Sequence, residues 1–317
     1  MDNKACTHCG ACRANCRFLE KYGIDIGDLA EREDLLYHCF LCGECTAVCP
    51  EGIDGRQMVL DMRRRQVKEN GNKIKISGYE MLIKEKENYL FKNYKNGRKK
   101  SVLFTGCNFP SFYPEMTRYL VQRFRREGIG VIYDCCGKPI AELGMEQSEK
   151  TIIERLNGKL KEAGVEEVIM LCPNCYMFLK PYLKIRMVSI YEKLQELGWG
   201  NVLEEDVTIF PPCPDRESQE IMEGIRPFLK GKVEIVDDVQ CCGLGGCASR
   251  NETEIVNEMV EEIKRHGKVY TYCASCSGNF ARKGYRESEH LLLKILEREE
   301  KPDTVKSVVN RMKFGIL

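Results

Sequence analysis

The sequence predicts a mixed α+β and α/β fold: a small N-terminal helical module rich in cysteine, followed by two pseudo-symmetric α/β lobes. Three observations lead to this prediction. The chain has 317 residues, a length typical of about two domains. Nearly all of its 19 cysteines belong to internal repeats. From residue 101 onward, short apolar runs alternate with helical segments, as in parallel α/β structure.

Composition and charge exclude several classes of protein. Hydrophobic residues make up 43% and charged residues 31% of the chain, which is ordinary for a globular protein with its own core. The 49 basic and 48 acidic residues give a formal net charge of +1, so we expect no nucleic acid partner. Residues 1–6 carry no signal-peptide core, and no stretch approaches the ~18 apolar residues of a membrane span. We therefore expect a cytoplasmic protein, whose thiols stay reduced and serve metal or redox chemistry.

The first eight cysteines form two blocks with the spacing Cys-x2-Cys-x2-Cys-x3-Cys, and each cysteine of the second block follows its counterpart by 33 positions. In such runs three thiolates hold one iron–sulfur cubane, and the fourth ligates the neighbouring cluster. The predicted ligands of two [4Fe–4S] cubanes are Cys6, Cys9, Cys12 and Cys49 for one and Cys39, Cys42, Cys45 and Cys16 for the other. Structural zinc is the alternative, although zinc sites space their cysteines in pairs. Pro50 follows the second block, whereas Arg17 follows the first.

We expect four segments along the chain. Residues 1–55 form the helical module, and 56–100 form a basic helical bridge whose charges are a solvated face or, alternatively, a docking surface. Residues 101–200 and 201–317 form the two lobes, the second with a C-terminal helical tail. The predicted strands are 101–105, 131–133, 167–171, 207–210, 233–236 and 269–272, and the predicted lobe helices are 115–127, 147–163 and 254–266. Cysteines follow the ends of these strands, at the edge where open α/β sheets bind ligands.

Ten further cysteines form two sets of five, each with an adjacent pair followed by glycine, Gly137 or Gly243. The sets are Cys107, Cys135, Cys136, Cys172 and Cys175, then Cys213, Cys241, Cys242, Cys273 and Cys276. The first three members are offset by 106 positions and the last two by 101, so five residues are missing from the second copy. Five thiolates are one too many for a cube, and adjacent cysteines do not readily bind one tetrahedral ion. The sets therefore favour a larger or more open cluster. A zinc ribbon, a thioredoxin-like dithiol and vicinal disulfides are the alternatives.

This arrangement resembles the Cys-Cys-Gly, or cysteine-rich domain, family of iron–sulfur oxidoreductases. An N-terminal dicluster ferredoxin module followed by two such domains resembles the catalytic subunit of heterodisulfide reductase fused to that module. The iron–sulfur subunits of anaerobic glycerol-3-phosphate dehydrogenase and glycolate oxidase are similar as well. The resemblance covers nearly the whole chain and includes the runs 49–54, 136–139 and 242–246 besides the cysteines.

The resemblance implies that each five-cysteine set binds a noncubane [4Fe–4S] cluster and that a disulfide is split between the two clusters. All ten cysteines would then be catalytic, and the chain would be an oxidoreductase subunit acting on a thiol/disulfide couple. Electrons would pass through two cubanes to two noncubane clusters that cleave or form the disulfide. One alternative is a purely electron-transferring iron–sulfur subunit of a flavoprotein dehydrogenase complex, and another is a zinc-stabilised scaffold.

The sequence contains no flavin or nicotinamide motif. We therefore expect a flavoprotein or ferredoxin as electron donor within a hetero-oligomeric complex, a small disulfide or thiol as substrate, and an anaerobic setting. Several residues outside the cysteine sets are also assigned roles. His8, His38, His266 and His290 are interpreted as solvated or structural, Lys138 as a candidate proton donor or anion contact, and Asn108, Asn174 and Asn279 as candidate substrate contacts. Cys247 is either a spare thiol or an exchangeable ligand.

Overall fold

The computed structural model describes residues 6–316. The N-terminal part is built from short helices, which are α1 (Ala11–Ala14), α2 (Arg17–Tyr22), α3 (Ile26–Leu29), the 3-10 helix Glu33–His38 and α4 (Glu44–Ala47). The tandem repeat is visible in the backbone. His8 and Gly10 have positive φ angles, and so do Leu41 and Gly43, their counterparts 33 residues later. Each left-handed glycine immediately precedes a short helix, α1 or α4, so both cysteine runs turn in the same way.

Two helices follow before the first sheet, α5 (Gly55–Glu69) and α6 (Glu80–Lys86). The Asp54 side chain caps α5 by accepting a hydrogen bond from the amide of Gln57. The interpretation of the basic run on α5 as a solvated face is wrong for Arg63, which is fully buried. Its neighbour Arg65 is exposed. The difference arises because α5 lies between the N-terminal helices and the lobes, so one side of the helix has no access to water.

The first lobe contains a four-stranded parallel sheet with the strand order β2-β1-β3-β4. Its strands are β1 (Ser101–Phe104), β2 (Gly130–Ile132), β3 (Glu167–Met170) and β4 (Arg186–Ser189). The helices around it are α7 (Asn108–Phe112), α8 (Pro114–Arg126), α9 (Lys138–Glu142), α10 (Glu146–Glu162), α11 (Pro173–Leu179) and α12 (Ile190–Glu196). Val102 pairs with both Gly130 and Val168, which places β1 in the interior of the sheet.

The second lobe has a parallel sheet with the corresponding order β6-β5-β7-β8. Its strands are β5 (Val207–Ile209), β6 (Val233–Ile235), β7 (Tyr270–Thr271) and β8 (Glu289–His290). Its helices are α13 (Glu220–Ile225), α14 (Thr253–Lys264), α15 (Ala274–Arg282), α16 (Leu291–Ile295) and α17 (Ser307–Ile316), with 3-10 turns at Cys213–Asp215, Arg226–Phe228 and Gly245–Arg250. The prediction of α/β structure with parallel sheets is confirmed. Within residues 6–316, no helix is both long and apolar enough to cross a membrane.

Buried polar groups join the N-terminal helices to the second lobe. The side chain of Glu252, at the start of α14, is fully buried. Its carboxylate accepts hydrogen bonds from Lys21 at 2.7 Å and Tyr22 at 2.8 Å, and it lies 2.6 Å from His38 Nδ1. Burial raises the pKa of this carboxyl, but the hydrogen bonds from Lys21, His38 and Tyr22 outweigh it, so the pKa lies below its usual range. The contacts hold the N-terminal module in one position against the lobe.

Arg63 joins the same module to both lobes. Its guanidinium donates to the carbonyl oxygens of Leu36 and Cys39 in the N-terminal part, at 2.6 to 3.0 Å. It also donates to the carbonyls of Glu142 in the first lobe, at 2.6 Å, and Gly246 in the second, at 2.8 Å. One buried cation thus satisfies four carbonyl oxygens from three parts of the chain.

Candidate iron–sulfur centre

The structure brings each predicted set of four N-terminal cysteines together around a small cavity. One cavity is lined by Cys6, Cys9, Cys12 and Cys49, and the other by Cys16, Cys39, Cys42 and Cys45. In each set, three cysteines come from one run and the fourth from the other run. All eight thiols are free of disulfide bonds. Each group supplies four sulfur donors, which suits a cubane cluster. At the first cavity Asp25 is also in the wall, and donor atoms of Cys6, His8 and Asp25 lie within 4.8 Å of one another.

Backbone amides point at these sulfurs. The amide of Ile26 donates to Cys12 Sγ, and the amide of Leu41 donates to Cys39 Sγ, each at 3.4 Å. Amide donors stabilise the negative charge that thiolate ligands carry in an iron–sulfur site. Glycine allows the close approach of the helices: a Cβ on Gly27 would lie 2.8 Å from Cys6 Sγ, and one on Gly55 would lie 2.7 Å from Cys45 Sγ. The surroundings therefore fit a [4Fe–4S] cluster in each set.

The ten later cysteines meet at a single cavity of about 330 Å³ between the two lobes. Seven of them line it: Cys107, Cys136, Cys172, Cys175, Cys213, Cys242 and Cys276. Cys135, Cys241 and Cys273 lie behind this wall and are fully buried. Most of the ten follow the carboxyl ends of strands, for example Cys172 after β3 and Cys273 after β7. The carboxyl edges of the two sheets therefore share one site.

Sulfur contacts run continuously through both sets. They connect, in this order, Cys107, Cys135, Cys136, Cys175, Cys172, Cys273, Cys276, Cys242, Cys241 and Cys213. The contact between Cys172 and Cys273 joins the first set to the second, and Cys213 Sγ lies 3.5 Å from Cys241 Sγ. The order is the same in both sets when each is followed from its first cysteine.

The second cysteine of each adjacent pair is electrostatically distinct. Hydrogen bonds from Cys135 and Cys175 lower the pKa of Cys136 to about 6, and those from Cys241 and Cys276 lower the pKa of Cys242 to about 6. Neighbouring thiols therefore stabilise a thiolate at the second cysteine of each pair, and in the second set hydrogen bonds from Cys172 and Cys276 lower the pKa of Cys273 as well. The thiolate is the form that binds metal. This negative charge, surrounded by further sulfur atoms, fits an iron–sulfur cluster larger than a single ion.

Glycine after each pair is required by the backbone. Gly137 has a φ of 91° and Gly243 a φ of 83°, both in the left-handed region. A Cβ would lie 2.9 Å from Ile152 at the first position and 2.8 Å from Val256 at the second. The equivalent turn lets the chain leave the cysteine pair and pack against a long helix, α10 or α14.

The other candidate residues fall into two groups. Asn108, Asn174 and Lys138 line the cavity. Asn108 donates to Ser275 at 2.7 Å, Asn174 donates to Cys273 Sγ at 3.2 Å, and Lys138 forms an ion pair with Glu142. Asn279 instead donates to the carbonyl of Cys242 at 2.6 Å, so its amide supports the site from behind.

The four histidines lie outside the wall of this cavity. His8 contacts Asp25 at 2.8 Å, and His266 contacts Asp238 at 3.0 Å on the surface. His290 is buried, its ring caps α16, and burial lowers its pKa to about 4.

Cys247 lies in the wall of the same cavity but outside the sulfur contacts of the two sets. Its backbone has a positive φ of 58°, and its carbonyl accepts a hydrogen bond from Tyr79 at 2.5 Å. Burial raises the pKa of its thiol to about 12, which keeps it protonated at neutral pH.

Gln240 is a site residue that sequence reasoning missed. Its side-chain amide donates to Cys16 Sγ at 3.4 Å, and its oxygen accepts from the amide of Arg17 at 2.9 Å. Gln240 immediately precedes Cys241, so it lies between a predicted cubane ligand and the second five-cysteine set. The only signal in the sequence is this adjacency.

Two family models match most of the chain. The model for the cysteine-rich domain matches residues 101–180 and 207–281, and the one for the 4Fe-4S dicluster domain matches residues 2–53. The chain is also 22% identical over 324 residues to a subunit of dihydromethanophenazine:CoB--CoM heterodisulfide reductase from Methanosarcina mazei, covering 78% of this chain and 79% of that protein. Lactate utilization protein A 1 of Bacillus mycoides is 24% identical over 242 residues, covering 64% of this chain and 98% of that protein.

Lactate utilization protein A of Halalkalibacterium halodurans is 25% identical over 243 residues, with the same coverage of 64% and 98%. Among solved structures, an aspartate racemase of Picrophilus torridus is 12% identical, with a TM-score of 0.33 and coverage of 68% of this chain and 99% of that chain. That score is too low to indicate a shared overall fold. The chain belongs to the cysteine-rich domain family of iron–sulfur proteins, with two copies of that domain after a 4Fe-4S dicluster domain, and is a distant homologue of the heterodisulfide reductase subunit from Methanosarcina mazei.

Proposed function

We propose that this protein is the disulfide-cleaving or disulfide-forming subunit of a larger iron–sulfur oxidoreductase. The observation that carries the proposal is the single cavity lined by cysteines of both five-cysteine sets. A small disulfide in this cavity has one set on either side of it. The relationship to the heterodisulfide reductases of Methanosarcina supports the same chemistry.

Four clusters are proposed: two [4Fe–4S] cubanes in the N-terminal module and one noncubane [4Fe–4S] cluster in each five-cysteine set. When bound, they supply one-electron transfer, so that R–S–S–R′ + 2e⁻ + 2H⁺ gives RSH + R′SH. The chain's own residues bind, orient and shield the substrate. Asn108 and Ser275, which are hydrogen-bonded to each other across the lobes, offer polar contacts in the cavity wall.

Electrons are proposed to enter at the cubane held by Cys6, Cys9, Cys12 and Cys49, because Cys9 is exposed. The other cubane, which includes the ligand Cys16, would then pass the electrons to the second lobe first. The reason is that Gln240, which bonds to Cys16, immediately precedes Cys241 in the chain. A flavoprotein or ferredoxin in a hetero-oligomeric complex is the proposed donor. The heterodisulfide reductase relatives are themselves named as parts of a complex. The cytoplasmic location and the anaerobic setting stay predictions.

Replacing Gln240 by leucine tests this route. Hydrogen bonds to a cluster's sulfur ligands stabilise the more negative, reduced state. Loss of the bond to Cys16 should therefore lower the midpoint potential of one cubane by about 40 mV, the equivalent of one neutral hydrogen bond in a one-electron couple. EPR-monitored redox titration measures the shift. Gln195→Leu is the control, because it removes an exposed glutamine whose side chain donates to the carbonyl of Gly224. If the cubane has the same midpoint potential in both variants, Gln240 does not bond to a ligand of that cluster and has no place in the route.

A second candidate function is electron transfer alone, within a flavoprotein dehydrogenase complex. The similarity to lactate utilization protein A, over nearly the full length of those proteins, favours a function without a disulfide substrate, because their name refers to lactate. The same clusters would then pass electrons to a partner without a disulfide substrate. Disulfide turnover separates the two functions.

The test is metal analysis followed by an assay. Anaerobically purified protein should contain about sixteen iron and about sixteen sulfide per chain, as four [4Fe–4S] clusters require. Protein reduced with a viologen should then consume small disulfides and release two thiols for each. Intact clusters without turnover of any disulfide in a broad panel would favour electron transfer alone, and zinc without sulfide would contradict both functions.

A further inference from the structure

The end of the cavity beside Cys107 carries an excess of positive charge. Lys86, Arg282 and Arg311 line it together with one acid, Glu85. They come from α6, α15 and α17. The last two pack against α7, the helix that follows Cys107, and Arg311 of α17 bonds to Glu85 of α6. Of the four, only Arg282 lies close to a stretch matched by a family model, and none lies within one. These four residues are called the basic subsite.

Lys86 is the most unusual member of the basic subsite. The residue is only 5% exposed, yet its ammonium makes no hydrogen bond to any residue of the described part of the chain. Glu85 Oε1 lies 2.8 Å from Lys86 Nζ but outside hydrogen-bond geometry, and the ring of Tyr89 lies below it at 4.9 Å. A buried ammonium has three donors, and leaving them unused is costly. Lys86 lines the cavity, so a group bound there can lie beside it.

The single carboxylate is already engaged. Glu85 Oε2 accepts a hydrogen bond from Arg311 at 3.0 Å, and its Oε1 lies 2.9 Å from Arg311 Nε. Arg311 also donates to Ser111 at 2.9 Å. Lys86 and Arg311 therefore share one acid. With Arg282, three positive charges face one negative charge at this end of the cavity.

Arg282 faces the same space from the second lobe. Among residues 6–316 it has no carboxylate within ion-pair distance, and its guanidinium lies over the ring of Phe112 at 5.1 Å. Arg282 is exposed at the cavity mouth, and partial desolvation together with the charge of Arg311 lowers its pKa. A free guanidinium at a cavity mouth presents the planar pair of donors that recognises a carboxylate or another oxyanion.

We propose that the basic subsite binds an anionic group of the substrate, so that the disulfides cleaved here carry a carboxylate or a comparable oxyanion near the sulfur held beside Cys107. This inference rests on the proposed function. The competing partner for Lys86 is the cluster itself, because Cys107 and Cys135 are its nearest thiols. Arg282 favours a substrate anion, since it belongs to the opposite lobe.

A matched pair of probes tests the proposal. 3,3′-Dithiodipropionate and its diamide have the same disulfide and nearly the same size, but only the first is charged. The wild-type holoprotein should show a higher kcat/KM for the dianion. Lys86→Met and Arg282→Leu should each lower that preference by about tenfold or more, chiefly through KM. Lys84→Met removes an equal charge from α6 at a position outside the cavity wall and should leave the preference unchanged.

Calorimetric titration of the oxidised holoprotein supplies a readout that needs no turnover. The dianion should bind about tenfold more weakly to each subsite variant, and binding of the diamide should not change. Two outcomes would contradict the basic subsite. One is an equal loss of affinity for the dianion and the diamide, and the other is a shifted EPR signal of the cluster with an unchanged kcat/KM preference for the dianion. Either would mean that these charges stabilise the cluster and do not bind the substrate. If the wild type reduces neither probe while calorimetry shows selective binding of the dianion, the proposed function fails and the anion site stands.

Discussion

Replacing Cys242 by serine is expected to lower the iron content from about sixteen to about twelve atoms per chain and to abolish disulfide reduction. Cys242 is the middle member of the sulfur contacts in the second five-cysteine set, and Cys241 and Cys276 lower its pKa to about 6. A serine hydroxyl is not deprotonated at neutral pH and is a poor ligand for iron. Iron and sulfide analysis, together with the viologen-linked assay, measures both effects.

Cys247→Ser is the matched control, because Cys247 lines the same cavity but has no part in the sulfur contacts. This variant should retain about sixteen iron atoms per chain, and the EPR signal of the reduced cubanes should be unchanged in both variants. If Cys242→Ser retains its full iron content, the second set does not hold a cluster through this residue. Loss of iron from the Cys247 variant would instead add that cysteine to the ligands.

Replacing Arg63 by methionine is expected to lower the apparent melting temperature of the holoprotein by roughly 5 °C or more. The methionine fills part of the volume but leaves the carbonyls of Leu36, Cys39, Glu142 and Gly246 without their common donor. Unsatisfied buried acceptors cost about 1–3 kcal/mol each. Electron transfer from the cubanes should slow as well, because Arg63 fixes the N-terminal module against both lobes.

Arg65→Met is the control for Arg63. The two arginines share α5, but Arg65 is exposed and only approaches Glu33 at 3.5 Å, a contact worth less than about 1 kcal/mol. Anaerobic thermal denaturation of both variants, each with its iron content checked, makes the comparison. Similar melting temperatures would contradict the role of Arg63 as the buried connection among the three parts.

The sequence contained most of the information on the cysteines, because spacing is itself a geometric constraint. Two runs offset by 33 residues predict how the eight N-terminal cysteines group, and the structure brings those groups together. Periodicity likewise indicated six of the eight strands. It missed β4 and β8, because polar residues such as Arg186 and Glu289 lie within them and no continuous apolar run marks either strand.

Residues that act across long distances in the chain could not be found in this way. Gln240 reaches Cys16 across 224 positions, and Arg311 reaches Glu85 across 226. Neither residue has a local pattern that distinguishes it from an ordinary surface residue. Arg63 shows the same limit, since a basic run on a helix looks solvated until the surfaces that cover it are known.

The most direct test of the central claim is EPR spectroscopy of the oxidised holoprotein after addition of a thiol. If substrate sulfur reacts at the five-cysteine sets, 3-mercaptopropionate should produce a new signal that broadens when the protein is enriched in ⁵⁷Fe, and Cys242→Ser should alter or abolish it. No thiol-induced signal from protein with about sixteen iron atoms per chain, together with no turnover of disulfides, would contradict the claim.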